Sequence, residues 1–159
     1  MVVEITRLDR FTCVRFATEK DLERIAEIDT HCFPRPWGYS DFKAALTDLF
    51  LVFQKKEILG FLIGCYWPME NKAMLMRLAV HPEHRRQGIG TMLMESALES
   101  LTKMNITEVE LNVEVVKPGV VKLCERLGFK VTTVVPTNHE NNAECYVMKL
   151  RLNSRGHAA

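Results

Sequence analysis

Apolar and polar positions along this chain change period several times, and each change marks an element. Residues 12–17 read as a first strand. Thr18 then stands as a helix N-cap with Asp21 at the capping-box position, and the helix it opens carries Leu22, Ile25, Ala26 and Ile28 on one face. That helix stops before Pro34, because proline removes a backbone donor, and Pro34-Arg35-Pro36 is a rigid turn. Ser40 caps a second, short helix whose apolar side is Phe42, Ala45 and Leu46. Strands follow at 50–54 and 58–66, separated by Lys55-Lys56, and another spans 73–80.

From Gly88 the period becomes helical: Ile89, Met92, Leu93, Ala97, Leu98, Leu101 and Met104 form one stripe, with Glu95, Glu99 and Lys103 opposite. A strict alternation comes next. Val109, Leu111, Val113 and Val115 lie on one face and Glu108, Glu110, Asn112 and Glu114 on the other, the pattern of a half-buried strand. A helix from about Gly119 ends at Gly128, a suitable residue just past a helix C-terminus. Two last strands, 130–135 and 144–152, flank a polar loop. The order β-α-α-β-β-β-α-β-α-β-β predicts an α+β fold, a mixed sheet of about seven strands with about four helices against it. Residues 1–10 read as a loose leader and the tail from Asn153 as frayed, leaving one domain with its core at about 12–152.

Composition removes several classes of function. The chain has 159 residues, 47% hydrophobic and 26% charged, with a formal net charge of +1, so no bulk charge draws it to nucleic acid or an anionic membrane. Five scattered cysteines without a C-x-x-C pair argue against a disulfide framework or a zinc knuckle and suit a reducing cytosol. No apolar run has the length of a membrane span, and no metal site is expected. A cytoplasmic protein, monomer or homodimer, is the expectation.

The chemistry concentrates where a strand ends at Val80 and a basic turn, Arg85-Arg86-Gln87-Gly88-Ile89-Gly90, opens a long helix. A helix N-terminus offers unpaired N–H groups and a partial positive charge, which together bind phosphate. Gly88 and Gly90 let the backbone approach a ligand, and Arg85 and Arg86 add cationic donors. The plainer alternative is a helix start that needs glycine for a turn, beside two solvated arginines. A Walker A loop is excluded, since no Lys-Ser or Lys-Thr follows the glycines.

The stretch Leu75-Met76-Arg77-Leu78-Ala79-Val80-His81-Pro82-Glu83-His84-Arg85-Arg86-Gln87-Gly88-Ile89-Gly90 resembles motif A of the GNAT acetyltransferases, and Arg85, Gly88 and Gly90 fit its core position by position. The order of elements is similar from Thr12 to Leu152. Cys32-Phe33-Pro34-Arg35-Pro36-Trp37, Leu123-Cys124-Glu125-Arg126-Leu127-Gly128-Phe129 and, more weakly, Ala143-Glu144-Cys145-Tyr146-Val147-Met148 resemble the RimI branch, the ribosomal-protein-alanine N-acetyltransferases. The resemblance implies a GNAT-like fold with a mostly antiparallel sheet, acetyl-CoA as cofactor, and an amine acceptor, above all a protein N-terminus. It implies that the backbone of Leu78, Ala79 and Val80 lines the acetyl and pantetheine arm, and that Arg86, Gln87, Gly88, Ile89, Gly90 and Thr91 hold the pyrophosphate.

Departures from that branch concern catalysis. Acetyl transfer to an amine needs a neutral amine, donors for the oxyanion and a proton for the leaving thiolate. The branch's glutamate base falls at Asn112, which takes no proton, but Glu110 and Glu114 share its side of the strand and Glu114 is nearer the site end. Equally, all three are a solvated or ion-paired sheet face. The branch's proton-donating tyrosine falls at Cys124, which is either a thiol acid or a small filler beside Val120, Val121 and Leu127. Its CoA-contacting asparagine falls at Lys117, and its tyrosines between the last two strands are replaced by residues 136–142. His31, His81 and His84 have no assigned role; Arg77, in an apolar strand, needs a partner if buried. Trp37 and Tyr39 lie where the branch forms part of its acceptor groove, or are core anchors. Three readings stay open: an enzyme acting on a protein α-amine, an enzyme acting on a small amine, and a CoA-binding module whose catalysis has decayed.

Overall fold

The computed structural model describes residues 6–7, 12–137 and 143–153. Their contacts group into two compact units, one formed by Met1–Cys65 with Arg77–Ala97 and the other by Tyr66–Met76 with Leu98–Ala159. Eight strands and four helices occur in the order β1 (Thr6–Arg7), β2 (Thr12–Phe16), α1 (Leu22–Cys32), α2 (Tyr39–Ala45), β3 (Leu49–Lys55), β4 (Glu57–Trp67), β5 (Lys72–Val80), α3 (Ile89–Lys103), β6 (Glu108–Glu114), α4 (Pro118–Arg126), β7 (Lys130–Pro136) and β8 (Glu144–Arg151). The sequence pattern located all of these within a few residues except β1. That two-residue strand pairs antiparallel with β2, Thr6 opposite Val14, inside the stretch expected to be a leader.

In the first unit the strand order is β1-β2-β3-β4, followed by the second half of β5. The pairs β1–β2, β2–β3 and β3–β4 are antiparallel. Both β3 and β4 are near-continuous apolar runs, buried over residues 49–53 and 58–64. Phe42 of α2 meets Phe50 and Phe61 of these strands at ring-centroid distances of 6.4 and 6.0 Å, and all three are fully buried. Each such ring removed from water contributes roughly 1.5–3 kcal/mol. Leu22, Ile25 and Ile28, the apolar stripe of α1, and Ala79 of β5 belong to the same core.

Two helix starts differ in detail from the sequence reading. Before α1 the chain makes one 3₁₀ turn, Glu19–Asp21, and Asp21 Oδ2 accepts from the Thr18 N–H at 2.8 Å, as the capping-box spacing predicts. Arg15 grips the same carboxylate at 2.8 and 2.9 Å. Burial pushes the Asp21 carboxyl up, but the bonds from Arg15 and Thr18 and the charge of Arg15 outweigh it and hold the group below the ordinary range. Ser40 is not the cap of α2. Gly38 is, because the Asp41 carboxylate reaches back to its N–H at 2.9 Å, and Ser40 lies inside the helix.

Gly60 on β4 shows how closely this unit is packed. A Cβ there would stand 2.9 Å from the Ala79 carbonyl oxygen and 3.1 Å from Ile89 Cγ2, so β5 and the start of α3 approach β4 only because the position lacks a side chain.

The second unit holds the first half of β5, then β6, β8 and β7 in spatial order. The pairing of β5 with β6 is parallel and runs from Lys72↔Glu108 to Leu75↔Leu111. Strands β6, β8 and β7 pair antiparallel. Val109, Leu111 and Val113 are buried while Asn112 is exposed and Glu108, Glu110 and Glu114 are half-buried, which is the alternation read from the sequence. Helix α4 ends where expected: Gly128 has φ 101°, and the Phe129 N–H returns to the Cys124 carbonyl at 3.0 Å. Among the described residues no helix is long and apolar enough to cross a membrane. Residues 138–142 of the polar loop and the tail from 154 onward lie outside the described residues.

Candidate active site

The first unit contains the whole of the phosphate-loop candidate. Strand β5 ends at Leu78, Ala79 and Val80, and the His81 N–H then bonds the Leu59 carbonyl at 2.8 Å. A 3₁₀ turn, Pro82–His84, begins with proline, whose missing N–H costs nothing at a helix start. The chain next reverses through two left-handed residues, Arg86 at φ 63° and Gly88 at φ 80°. Gly88 accepts the first helical bond of α3, from the Met92 N–H at 3.0 Å. The N–H groups of Ile89, Gly90 and Thr91 therefore have no acceptor within their own helix.

The two glycines of the turn serve different ends. At Gly88 the backbone conformation demands glycine, whereas a Cβ there would touch only Met92 Cε at 3.9 Å, so the ligand side of the turn is open. Gly90 lies in the first turn of α3 without a positive φ, so backbone strain does not call for glycine there. Arg85, Arg86 and Gln87 are exposed and flank this opening. The Arg85 Nε donates to the Val80 carbonyl at 3.3 Å, and its Nη2 lies 3.5 Å from Cys32 Sγ. The Cys32 thiol itself donates to that same carbonyl at 3.3 Å. Open backbone donors, a positive helix end and cationic side chains fit a diphosphate chemically.

Arg77 finds the partner its burial requires. Its Nε and Nη2 donate to the two oxygens of Asp29 at 2.6 and 2.9 Å, and its guanidinium lies over the Phe33 ring at 3.8 Å. Sequence reading left Asp29 unassigned, although its spacing of four from Ile25 puts it on the buried face of α1. A buried arginine on a strand and an acid on an apolar helix face were the available signal. Trp37 is half-buried and meets Phe42 at a tilt, ring centroids 5.5 Å apart, while Tyr39 is exposed and donates to Glu19 at 3.2 Å. His31, His81 and His84 form a row of edge-on rings, centroids 5.6 and 5.7 Å apart.

The catalytic candidates all belong to the second unit. Asn112 and Glu114 lie on β6 opposite Val147 and Cys145 of β8. Glu110 is part of an ion-paired patch: Lys149 reaches it at 3.7 Å and Glu108 at 3.3 Å. Glu114, the last residue of β6, stands 3.9 Å from the ammonium of Lys117, which is the N-cap residue of α4. Cys124 is 2% exposed, and burial, with the Glu125 charge adding to it, pushes its thiol up to about 11. Protonating a CoA thiolate, whose reference acid titrates near ~8.5, is uphill from there. Burial therefore favours the packing role weighed for Cys124. Cys124→Tyr is expected to lower stability by about 1–3 kcal/mol through overpacking, read as a drop in melting temperature. Cys124→Ala should leave turnover within about twofold of the parent, whereas loss of a general acid would cost ~10²-fold or more.

Known proteins resemble this chain over most of its length. The N-alpha-acetyltransferase of Sulfurisphaera tokodaii is 25% identical over 150 residues, covering 85% of this chain and 90% of its own. The ribosomal protein bS18-alanine N-acetyltransferase of Escherichia coli K12 is 27% identical over 117 residues, covering 72% of this chain and 78% of its own. The Salmonella typhimurium protein yncA, solved with its cofactor acetyl-CoA, has the same fold, with a TM-score of 0.77 at 20% identity, covering 94% of this chain and 98% of that one. Residues 22–129, from the first residue of α1 to the end of the α4 turn and including the whole phosphate-loop candidate, match the model of the acetyltransferase (GNAT) family, and the chain belongs to that family.

Proposed function

We propose that this protein is an acetyl-CoA-dependent N-acetyltransferase whose acceptor is the α-amine of a protein or peptide N-terminus. The observation that carries the reading is the turn at 85–91. Left-handed Arg86 and Gly88 deliver the unpaired N–H groups of α3 to an open face, beside exposed arginines. In this reading Arg86, Gln87, Gly88, Ile89, Gly90 and Thr91 bind the pyrophosphate, and the backbone of Leu78, Ala79 and Val80 runs beside the acetyl and pantetheine arm. Arg85 supports the strand end through Val80 and leaves part of its guanidinium for phosphate. Lys117 is read as a further cofactor-binding residue because it stands at the position of the branch's CoA-contacting asparagine. Bound acetyl-CoA supplies an acyl group activated as a thioester.

The residues of the chain have two tasks around that thioester. Glu114 takes the proton that the amine must lose, directly or through one water, since Asn112 cannot. A main-chain N–H at the end of β5 donates to the carbonyl oxygen as negative charge gathers there. The amine nitrogen forms its bond to the acetyl carbon while the carbon–sulfur bond breaks, and a proton from solvent or a nearby acid neutralises the thiolate. We read the whole chain as one catalytic domain, placed in the cytosol. Five scattered cysteines without a C-x-x-C pair support a reducing compartment.

The α-amine is preferred because both sequence relatives above act on such amines by name. A panel assay tests the choice: thiol release from acetyl-CoA is followed with tetrapeptides bearing a free N-terminus, the same peptides N-blocked with a free lysine, and polyamines. Turnover confined to free N-termini is expected, and preference for a polyamine or another small amine would overturn the acceptor assignment. A CoA-binding module with decayed catalysis is the second reading, favoured by the neutral Asn112 and the buried Cys124.

A further inference from the structure

Asp29 is fully buried in α1, at 0% exposure, and nearly everything that holds it belongs to two places in the chain. Arg77 of β5 forks onto both of its oxygens, and the Trp37 N–H donates to Oδ2 at 2.8 Å. Arg77 continues outward from this pair. Its Nη2 donates to the Arg35 carbonyl at 3.3 Å, and its guanidinium lies 3.8 Å from the Phe33 ring centre and 5.0 Å from that of Trp37. A single strand residue thus engages the turn at 33–37 through two rings, one carbonyl and, by way of Asp29, one N–H.

Stability alone does not call for such a device. Two apolar residues of matching volume commonly replace a buried ion pair without loss, because desolvation cancels most of the attraction. What an apolar pair lacks is direction. A guanidinium fork, a carboxylate shared with a backbone N–H and a turn stiffened by Pro34 and Pro36 leave the segment one orientation. Three residues further along β5, the Val80 carbonyl accepts from Cys32 and Arg85. The segment from Cys32 to Trp37 is therefore fastened at both ends of 77–80, the part of β5 that holds Leu78, Ala79 and Val80, assigned above to the acetyl arm. Its opposite side, with Pro34, Arg35, Pro36 and Tyr39, is exposed.

We infer that Asp29 and Arg77 are positioning residues for acetyl transfer, fixing the turn at 33–37 relative to the acetyl end of β5. The inference rests on the functional reading above. Its test compares Asp29→Asn, Arg77→Lys and the apolar double variant Asp29→Leu/Arg77→Met in steady-state kinetics, calorimetry with acetyl-CoA and thermal melting. Acetyl-CoA affinity should stay within about threefold of the parent, since the phosphate turn is untouched, while kcat falls by ~10²-fold, the scale set by ~1 Å misplacement of reacting groups. The double variant should melt near the parent temperature and remain slow, a combination that a purely structural pair does not produce. A double variant as stable and as fast as the parent overturns the inference. Should it fail to fold, Asp29→Asn decides: parental kcat with intact acetyl-CoA binding overturns the inference as well. A parent that acetylates no amine removes the functional reading and this inference together, whereas an active parent with a fast double variant removes this inference alone.

Discussion

Gly88→Val is expected to abolish measurable acetyl-CoA binding while the chain still folds. At φ 80° the position lies in the left-handed region, where a branched side chain adds roughly 1–2 kcal/mol of strain. The turn can relieve that strain only by rotating away from its present conformation, and the N–H groups of Ile89, Gly90 and Thr91 rotate with it. Losing two charge-assisted hydrogen bonds to phosphate, at about 1.5–3 kcal/mol each, weakens binding by ~100-fold or more. Gly88→Asn separates the two causes, because asparagine tolerates the left-handed region and its Cβ would meet nothing nearer than Met92 Cε at 3.9 Å. An asparagine variant that keeps affinity identifies strain as the cause; one that loses it identifies obstruction. Calorimetry showing parental affinity in folded Gly88→Val would remove the turn from the cofactor site.

Glu114→Gln is expected to slow turnover by ~10²–10⁴-fold, the usual consequence of removing a general base, with acetyl-CoA affinity unchanged. Glu110→Gln should do far less. Its carboxylate already belongs to the patch with Lys149 and Glu108, and Lys72 extends that patch at 3.8 Å from Glu108. Among the described residues Glu114 has the ammonium of Lys117 at 3.9 Å, the outer limit of an ion pair. Rates measured between about pH 6 and 9 distinguish a base from a charge that merely orients the amine, since only loss of a base makes the rate rise with deprotonation of the amine itself. Near-parental rates in both variants throughout that range would mean that another group, or bulk water, takes the proton.

The order of elements was legible because each of the long ones announces its period. The alternation 108–114 matches the buried side of β6 residue by residue, and Ile89, Leu93, Ala97 and Leu101 of the α3 stripe are buried, whereas Met92 and Leu98 are half-buried and Met94, outside the stripe, is buried. β1 was not legible, since two residues carry no periodicity. The cap of α2 was misplaced by two positions because the sequence shows a serine at 40, whereas the Asp41 carboxylate reaches the Gly38 N–H. For the site, glycine spacing and basic residues pointed to the turn at 85–91 as the phosphate-binding candidate, although that Gly88 has a positive φ and Gly90 has not needed the structure. The partners of Arg77 and Val80 are about 50 residues away in the chain, at Asp29 and Cys32, so no local pattern announces them. Catalysis was least legible. The residues at 112 and 124 differ from those of the RimI branch, and spacing alone does not say what replaces them.

The measurement that bears most directly on function is the position of the acetyl group in the product. The protein is incubated with acetyl-CoA labelled in its acetyl carbons and with peptides that carry both a free N-terminus and an internal lysine, and the products are fragmented in a mass spectrometer. Label on the α-nitrogen, absent from the lysine and absent when Glu114→Gln replaces the parent, is the expected result. No labelled product from any peptide or small amine, in a protein that still binds acetyl-CoA, would contradict it and leave a CoA-binding module.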